Sequence, residues 1–298
     1  MSDIYKIKPA DFPLNLKEIT DPPKILYAKG KIPDPEKFVY LNVVGSRHYS
    51  DYGQEVCEHL IGGLTGLSVV IVSGLALGID TIAHQSALAS NLPTVAVPGS
   101  GLDPKIIYPR TNRKLAETIV EKGGALLSEY EPEMIAAPWT FPKRNRIMAG
   151  LCQATLIVEA REKSGTLITA RLAMEYNRDV LVVPGSIFNK NSFGPHILIR
   201  DGAIPITNIS DLKEVLGFTE DEISDGQEFE NIADLDLSEI EAKICELIAR
   251  SPVDKDDLTE KLKLSATEVS IALSNLELKN LISEIDNEIT LKPGFAKK

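Results

Sequence analysis

Short apolar runs rich in valine and isoleucine recur along this chain, and amphipathic stretches separate each run from the next. Residues 69–72, 156–158 and 180–183 contain no polar side chain. A strand that is apolar on both faces is buried on both, which is typical of a parallel sheet covered by helices on either side. Because such strands alternate with helices, the pattern predicts an α/β fold with a doubly wound parallel sheet. In these folds ligands bind at the carboxyl ends of the strands.

The periodicity also predicts where the elements lie. Strands are predicted at residues 38–44, 67–73, 94–97, 125–128, 156–159, 180–183 and, as a short last one, 204–206. Helices are predicted near residues 52–64, 79–89, 113–121, 144–151 and 167–176. Pro22 and Pro23 block a helix at their own positions, so the proline-rich start of the chain is predicted to be extended, with a short helical piece at most.

The composition changes after residue 218. Residues 219–236 carry eight acidic side chains and no basic one, which predicts a self-repelling linker. Beyond it, Ser238 with Glu241 and Ser265 with Glu268 have the spacing of capping boxes, and Asp254 is placed to cap a helix between them. Residues 281–291 have the pattern of a β-hairpin with its turn at 286–287. Four parts are therefore predicted: an N-terminal lead-in (1–37), the α/β domain (38–218), an acidic linker (219–236) and a small winged-helix-like domain (237–298).

Charge is distributed unevenly between these parts. The chain has 32 Lys and Arg against 43 Asp and Glu, and its formal net charge of −11 argues at first against a nucleic-acid binder. However, residues 219–298 hold 20 of the acidic residues and nine of the basic ones, so residues 1–218 are neutral. The α/β part is thus free to carry a local basic surface.

Other features limit the class of protein. The three cysteines are too widely spaced for a disulfide framework or a zinc site, which fits the cytoplasm. Neither a signal-peptide pattern nor an apolar run long enough to span a bilayer is visible, so no membrane partner is expected. The chain has no G-x-S-x-G elbow, H-E-x-x-H pair or Walker lysine. We therefore expect no catalytic residue, no metal and no cofactor.

Two loops after predicted strands carry candidate anion-binding residues. Gly45, Ser46 and Arg47 combine a close backbone approach with donors to phosphate, although a plain turn is an equal alternative. Ser164 and Gly165 open a helix after a strand, as in an anion cradle, unless Ser164 is only a helix cap.

A third loop contains Gly74 and also opens a helix, but its glycines do not have the G-x-G-x-x-G spacing of a dinucleotide site. On that helix, Asp80 and His84 are interpreted as a helix-cap carboxylate and a hydrogen-bonded histidine rather than as a catalytic pair. The glycines and prolines of residues 98–109 are interpreted as turn formers.

A basic segment is the strongest sign of a polyanionic ligand. Residues 138–171 hold six basic and two acidic side chains. Within this segment Phe141 is followed closely by Lys143, Arg144, Asn145 and Arg146. Aromatic rings stack on unpaired bases while cations hold phosphates, so single-stranded nucleic acid is favoured. A solvated helix start is the alternative, but basic side chains there oppose the helix dipole.

Taken together, the loops resemble the DNA-processing protein A family (DprA, also called Smf). The motifs that carry the resemblance, between about residues 12 and 217, are Gly45-Ser46-Arg47, Ser73-Gly74 with Gly78-Ile79-Asp80 and Ala83-His84, Gly99-Ser100-Gly101-Leu102-Asp103 with Tyr108-Pro109 and Asn112, Ser128-Glu129, Phe141-Pro142 with Arg144-Asn145-Arg146, Glu159-Ala160, Ser164-Gly165 with Thr169-Ala170, and Pro184-Gly185-Ser186. Their common order along the chain makes the resemblance specific.

The resemblance implies an extended Rossmann-like domain that binds single-stranded DNA. Members of this family protect single strands and load the RecA recombinase onto them, chiefly in natural transformation; they act as dimers and are not known as enzymes. By position, Arg47 and residues 141–146 would line the DNA pocket. The chain departs from some relatives in lacking a full helical domain before the Rossmann-like part, and in its acidic linker.

The tail resembles the winged-helix domain that many members carry. Its predicted recognition helix, residues 266–279, contains Glu268 and Glu277 but Lys279 as its one base. A helix that reads DNA is richer in Arg, Lys, Asn or Gln. The hypothesis for the tail is therefore a protein-interaction or autoinhibitory module.

Two alternatives remain. Ser164-Gly165-Thr166 is similar to the nucleotide loop of the phosphoribohydrolases called lysine-decarboxylase-like proteins, but the second glycine and the catalytic glutamate of those enzymes are missing. A scaffold that does not bind nucleic acid is the other alternative, and the basic segment argues against it.

Overall fold

The computed structural model describes residues 3–219, 230–231, 237–248, 253–279, 281–285, 288–291 and 295–296. The chain forms two compact units, Met1–Ile223 and Ser224–Lys298. Most of the predicted acidic linker lies outside the described residues.

The first unit is built on a nine-stranded sheet. Its strands are β1 Tyr5–Ile7, β2 Leu26–Gly30, β3 Val39–Val44, β4 Val69–Ser73, β5 Thr94–Ala96, β6 Ala125–Ser128, β7 Ala154–Ile157, β8 Asp179–Val182 and β9 Ile204–Pro205. Its helices are α1 Leu14–Lys17, α2 Asp51–Gly62, α3 Ile79–Ala89, α4 Arg113–Glu121, α5 Thr140–Leu151, α6 Thr166–Glu175, α7 Phe193–Arg200 and α8 Ile209–Val215. The strand order is β1-β2-β6-β5-β4-β3-β7-β8-β9, and β3 to β9 run parallel. The predicted doubly wound, Rossmann-like sheet is thus confirmed.

Both faces of this sheet are buried, as the continuous apolar runs predicted. Along β4, Val70 and Val72 belong to one hydrophobic core, whereas Val69 and Ile71 belong to the core on the opposite face. All four side chains are fully buried. Successive strand residues point to opposite faces, so a run with no polar residue requires a helical layer on each side.

The chain order creates a switch point in the middle of the sheet. From β3 the chain proceeds through β4 and β5 to β6 on one side, then returns to add β7 on the other side of β3. In the β3–β7 pair, Val44 lies opposite Ile157. The loops after these two strands therefore leave the same edge in opposite directions, and a crevice opens between them.

The start of the chain belongs to this sheet, which differs from the predicted separate lead-in. β2 pairs antiparallel with β6 and β1 with β2, so residues before 38 extend the sheet at one edge. Leu26, Tyr27 and Ala28 of β2 are buried, so this part of the chain is extended as predicted but belongs to the sheet. A short helix, α1, does occur there.

Three helices differ from the predicted set. α5 begins at Thr140 rather than near residue 144. Pro142 is tolerated there because it lies in the first turn, where the backbone N–H groups have no partner within the helix. α7 was not predicted, since Gly194 and Pro195 lie in its first turn. α8 was not predicted either, although Asn208 and Asp211 form a capping box before it.

The second unit contains a winged helix. Its described elements are β10 Glu230–Asn231, α9 Glu239–Ile248, β11 Val253–Asp254, α10 Lys255–Leu262, α11 Ala266–Leu278, β12 Ile282–Ile285, β13 Glu288–Leu291 and β14 Phe295–Ala296. The predicted caps are present: the Ser238 and Ser265 hydroxyls accept from the N–H groups of Glu241 and Glu268, and Asp254 accepts from the N–H of Asp257. β12 and β13 form the predicted hairpin, whose turn at 286–287 lies outside the described residues.

Candidate nucleic-acid interface

A pocket of about 490 Å³ occupies the switch point. Its walls are the loop after β3, the first turns of α5, and the segment that leads from β7 into α6. Of the predicted binding residues, it brings together Gly45, Ser46, Arg47, Phe141, Arg144, Asn145, Ser164 and Gly165. The sequence patterns of separate loops therefore converge on one site.

Hydrogen bonds join two of these loops. The Thr166 hydroxyl donates to the carbonyl of Gly45 at 3.1 Å and accepts from the Ser164 hydroxyl at 2.9 Å. Ser164 also accepts from the Thr166 N–H at 3.2 Å, although the N-cap residue of α6 is Gly165 and not Ser164. A Cβ at Gly165 would meet no atom within 4 Å, which leaves the backbone at the helix start accessible to a ligand.

Three exposed cations face this pocket: Arg47, Arg161 and Lys163. Arg161 is held in place because its Nε donates to Oδ1 of Asn191 at 2.9 Å. Asn191 in turn donates to the buried carboxylate of Glu159 at 3.0 Å. Arg161 and Lys163 were counted in the basic segment but were not predicted as binding residues, since nothing in the sequence shows that the loop folds toward Gly45.

An aromatic ring forms one wall of the pocket. The Arg47 guanidinium carbon lies 5.6 Å from the centroid of the Phe141 ring. The ring also approaches Tyr108, with 5.8 Å between centroids. Phe141 is packed closely against Gly99, where a Cβ would come within 2.6 Å of the ring. The ring is therefore fixed in position beside a cation, as a stacking platform requires.

Arg144 lies at the base of the pocket as a buried cation. Its guanidinium donates to the carbonyl of Val97 and fills the space that a side chain at Gly74 would need. Burial lowers the pKa of the Arg144 guanidinium to about 10, so it is charged at neutral pH. Buried in this way, Arg144 contributes positive potential and supports the loop, rather than presenting a mobile phosphate ligand.

The Gly74 amide does not have the predicted role. Asp80 accepts hydrogen bonds from the N–H groups of Gly74 at 3.1 Å and Ala76 at 3.4 Å, so these donors are occupied. Burial raises the pKa of the Asp80 carboxyl, while the charge of Arg144 acts in the opposite direction. These bonds join Asp80 to the preceding loop, whereas α3 starts after Gly78 without a side-chain cap, so the prediction that Asp80 caps the helix is wrong.

His84 agrees with its predicted role. Its Nδ1 lies 2.7 Å from the Thr94 hydroxyl in the interior of the unit. Burial lowers the pKa of His84 to about 3, so the imidazole is neutral at physiological pH.

Two predicted phosphate ligands lie outside the pocket. Arg146 is buried, pairs with Glu129 at 2.5 Å and donates to the carbonyl of Asp21. Lys143 lies 3.5 Å from the same Glu129 carboxylate. The reason is that residues 141–146 form a helix and not a loop. The face of this helix toward the pocket carries Phe141, Arg144, Asn145 and Met148. Lys143 and Arg146 lie on a different face.

The predicted recognition helix, α11, packs into the core of the second unit. Val269, Ala272, Leu273 and Leu276 of α11 are buried in the core of the unit. Lys279, which follows the helix, is 2.9 Å from the buried carboxylate of Glu241.

Within the described residues, no helix is long and apolar enough to cross a membrane. Among the same residues, no group of three or more His, Cys, Asp and Glu side chains is placed to hold a metal ion.

The fold and the pocket define a class: Rossmann-like proteins with a cationic crevice, lined by an aromatic ring, at the switch point of the sheet. The family model for DNA recombination-mediator protein A matches residues 3–217, and a model for the DprA winged helix domain matches residues 232–285. The chain belongs to the DNA recombination-mediator protein A family.

Individual relatives agree with this assignment. Protein Smf of Escherichia coli is 38% identical over 289 residues, covering 94% of this chain and 76% of that protein. DNA processing protein DprA of Streptococcus pneumoniae is 45% identical over 201 residues, covering 67% of this chain and 70% of that one.

Solved structures are similar as well. The X-ray structure of DprA from Streptococcus pneumoniae superposes with a TM-score of 0.67 at 40% identity, covering 73% of this chain and 75% of that one. DNA processing protein A from Helicobacter pylori, described for its single-stranded DNA binding mode, superposes with a TM-score of 0.65 at 30% identity, covering 72% of this chain and 98% of that one.

Proposed function

We propose that this protein binds single-stranded DNA in the switch-point pocket and acts as a recombination mediator. Arg47, Arg161 and Lys163 hold phosphates, and Phe141 stacks on a base. The backbone at Gly45 and Gly165 and the hydroxyls of Ser46 and Ser164 complete the phosphate contacts. The relative from Helicobacter pylori, whose structure concerns single-stranded DNA binding, supports the proposal.

One observation carries the proposal: a charged guanidinium and an aromatic ring stand side by side in the same crevice, at Arg47 and Phe141. A phosphate and the base attached to it need this pair of contacts together. In a duplex the base faces are stacked on one another, so the ring selects a single strand. The pocket's one carboxyl, Asp80, is buried against backbone amides and so opposes phosphate binding little.

The broader role follows from the family. We propose that the protein protects single strands in the cytoplasm, as a homodimer, and loads a RecA-type recombinase onto them during DNA uptake or related processing. The buried, unpaired thiols of Cys57, Cys152 and Cys245 are compatible with a reducing compartment. The proposed DNA-binding domain is the α/β part, and the winged helix with its acidic linker is proposed to contact proteins.

The proposed mechanism is binding without turnover. Asp80 positions the Gly74 loop, and the buried Glu159 accepts from Ser50 and Asn191, so both carboxylates have structural partners. The competing function is nucleotide hydrolysis by an enzyme related to the phosphoribohydrolases.

One experiment separates the two functions. The full chain is titrated with a labelled single strand and with the duplex of the same sequence, and is incubated in parallel with nucleoside monophosphates while released base is assayed. The proposal predicts a clear preference for the single strand and no released base. Equal affinity for the duplex, or steady release of base, would contradict it.

A further inference from the structure

A second basic segment lies beside the proposed pocket. Residues 105–114 contain four basic and no acidic side chains, and Tyr108 lies among them. Arg113 of this set supports its own loop, because its guanidinium donates to the carbonyls of Ile107 and Lys105. Arg110 and Lys114 are exposed, and no carboxylate of a described residue lies within salt-bridge distance of either.

Tyr108 places this segment next to the pocket. Half of the tyrosine is exposed, although its ring approaches Phe141 at 5.8 Å between centroids. Arg47, Ala76 and Phe141 line both the pocket and a small depression of about 20 Å³ beside it, which Gly74, Leu77, Tyr108 and Pro109 complete. We call this depression the outer shelf. Leu77 is also half exposed, so Leu77 and Tyr108 both present apolar surface to solvent.

The outer shelf is held rigidly against the loop after β4. The side-chain amide of Asn112 donates to the carbonyl of Leu75 at 2.9 Å and to the hydroxyl of Thr81 at 2.8 Å. A platform that is fixed before binding loses little conformational entropy when a ligand arrives. An exposed, fixed aromatic ring with cations on either side in the sequence is the arrangement that single-strand binders use.

We propose that the outer shelf is a second nucleotide position, which continues the path of the strand beyond Phe141. The base next to the one on Phe141 stacks on the exposed ring of Tyr108. This inference rests on the proposed function, because a strand must first occupy the pocket.

A double-mutant cycle tests whether Tyr108 has a base of its own. The affinity of the full chain for a single-stranded oligonucleotide of about 16 nucleotides is measured for the wild type, Tyr108→Leu, Phe141→Leu and the double variant, at low salt so that weak binding is measurable. Leucine keeps the apolar contact but lacks the planar face. Tyr108→Leu should weaken binding about tenfold in both backgrounds, and Tyr108→Phe should bind like the wild type.

Each other outcome has a distinct meaning. If the wild type does not bind the strand, the proposed function fails and the outer shelf with it. If the wild type binds but Tyr108→Leu binds equally well, the second position alone is overturned. If Tyr108→Leu weakens the wild type but has no effect in the Phe141→Leu background, Tyr108 merely positions Phe141 and the inference is also overturned. Tyr5→Leu, an exposed tyrosine on β1, is the matched control and should bind normally.

Discussion

The guanidinium of Arg47 lies over the ring of Phe141, with 5.6 Å between the guanidinium carbon and the ring centroid. The two residues are 94 positions apart in the sequence and come from different segments around the switch point. Arg47 follows β3, and Phe141 is in the first turn of α5. Each contact alone is common on protein surfaces, but the pair provides a charge for a phosphate and a face for its base.

Displacing the Phe141 ring should weaken binding without changing the charge of the pocket. In Gly99→Ala the new methyl group would come within 2.6 Å of the ring and force it to move. We expect about fivefold weaker single-strand affinity, since a stacked base contributes about 1–3 kcal/mol and the ring is shifted rather than removed. The salt dependence should be unchanged, as measured by anisotropy at several salt concentrations. Gly62→Ala, whose methyl group would meet no atom within 4 Å, is the control.

Arg146 should matter for stability and not for DNA. Arg146→Met removes the partner of Glu129, although Lys143 remains near that carboxylate. The free energy of unfolding should fall by about 2–3 kcal/mol, in urea titrations followed by the fluorescence of Trp139, the one tryptophan of the chain. Single-strand affinity of the folded protein should stay within about twofold. A loss of single-strand affinity with an unchanged free energy of unfolding would mean that Arg146 binds DNA after all.

His84 should make the protein sensitive to acid. Burial lowers the pKa of His84 from 6.5 to about 3, so the unfolded chain takes up a proton between these values and the folded chain does not. The stability due to the neutral imidazole is therefore present above pH 6.5 and is lost as the pH falls toward 3, by at most about 1.4 kcal/mol per pH unit. Urea titrations between about pH 7 and pH 4 should show a shallower decline in His84→Gln. An identical decline in both proteins would refute the assignment of this effect to His84.

Removing residues 219–298 should leave single-strand affinity unchanged or raise it. The deletion removes a net charge of −11, which repels phosphate, and the first unit keeps its own hydrophobic cores. A full-length variant with the acidic residues of 219–236 changed to Asn and Gln shows whether the linker or the winged helix is responsible. A large loss of affinity on deletion would mean that the tail binds DNA.

Much of the fold follows from the sequence because a strand that is buried on both faces consists of consecutive apolar residues. The runs in β4, β7 and β8 predicted a parallel sheet, and the capping serines predicted the helices of the winged helix. β2 was missed because it pairs with β6, about 100 residues away along the chain, and β1 was missed because it pairs only with β2; local composition reveals neither partner.

The site was predictable at the level of loops but not of side-chain direction. Gly45, Arg47 and Phe141 converge as their positions after strands suggested. The composition of residues 141–146 predicts Lys143 and Arg146 in the pocket, but helical periodicity turns both side chains toward Glu129. Gly74 was assigned as an anion donor because the competing carboxylate of Asp80 could not be placed from the sequence.

The central claim is that the cations of the switch-point pocket hold the phosphates of a single strand. Anisotropy titrations of wild type, Arg47→Ala and Arg200→Ala at several salt concentrations test it most directly. Arg200 is the last residue of α7 and precedes β9. It therefore lies near the amino ends of the parallel strands, whereas the pocket lies at their carboxyl ends. Arg47→Ala should weaken binding to all sequences alike and reduce the slope of log affinity against log salt by about 0.7, while Arg200→Ala changes neither. An affinity and a slope equal to those of the wild type in Arg47→Ala would contradict the account.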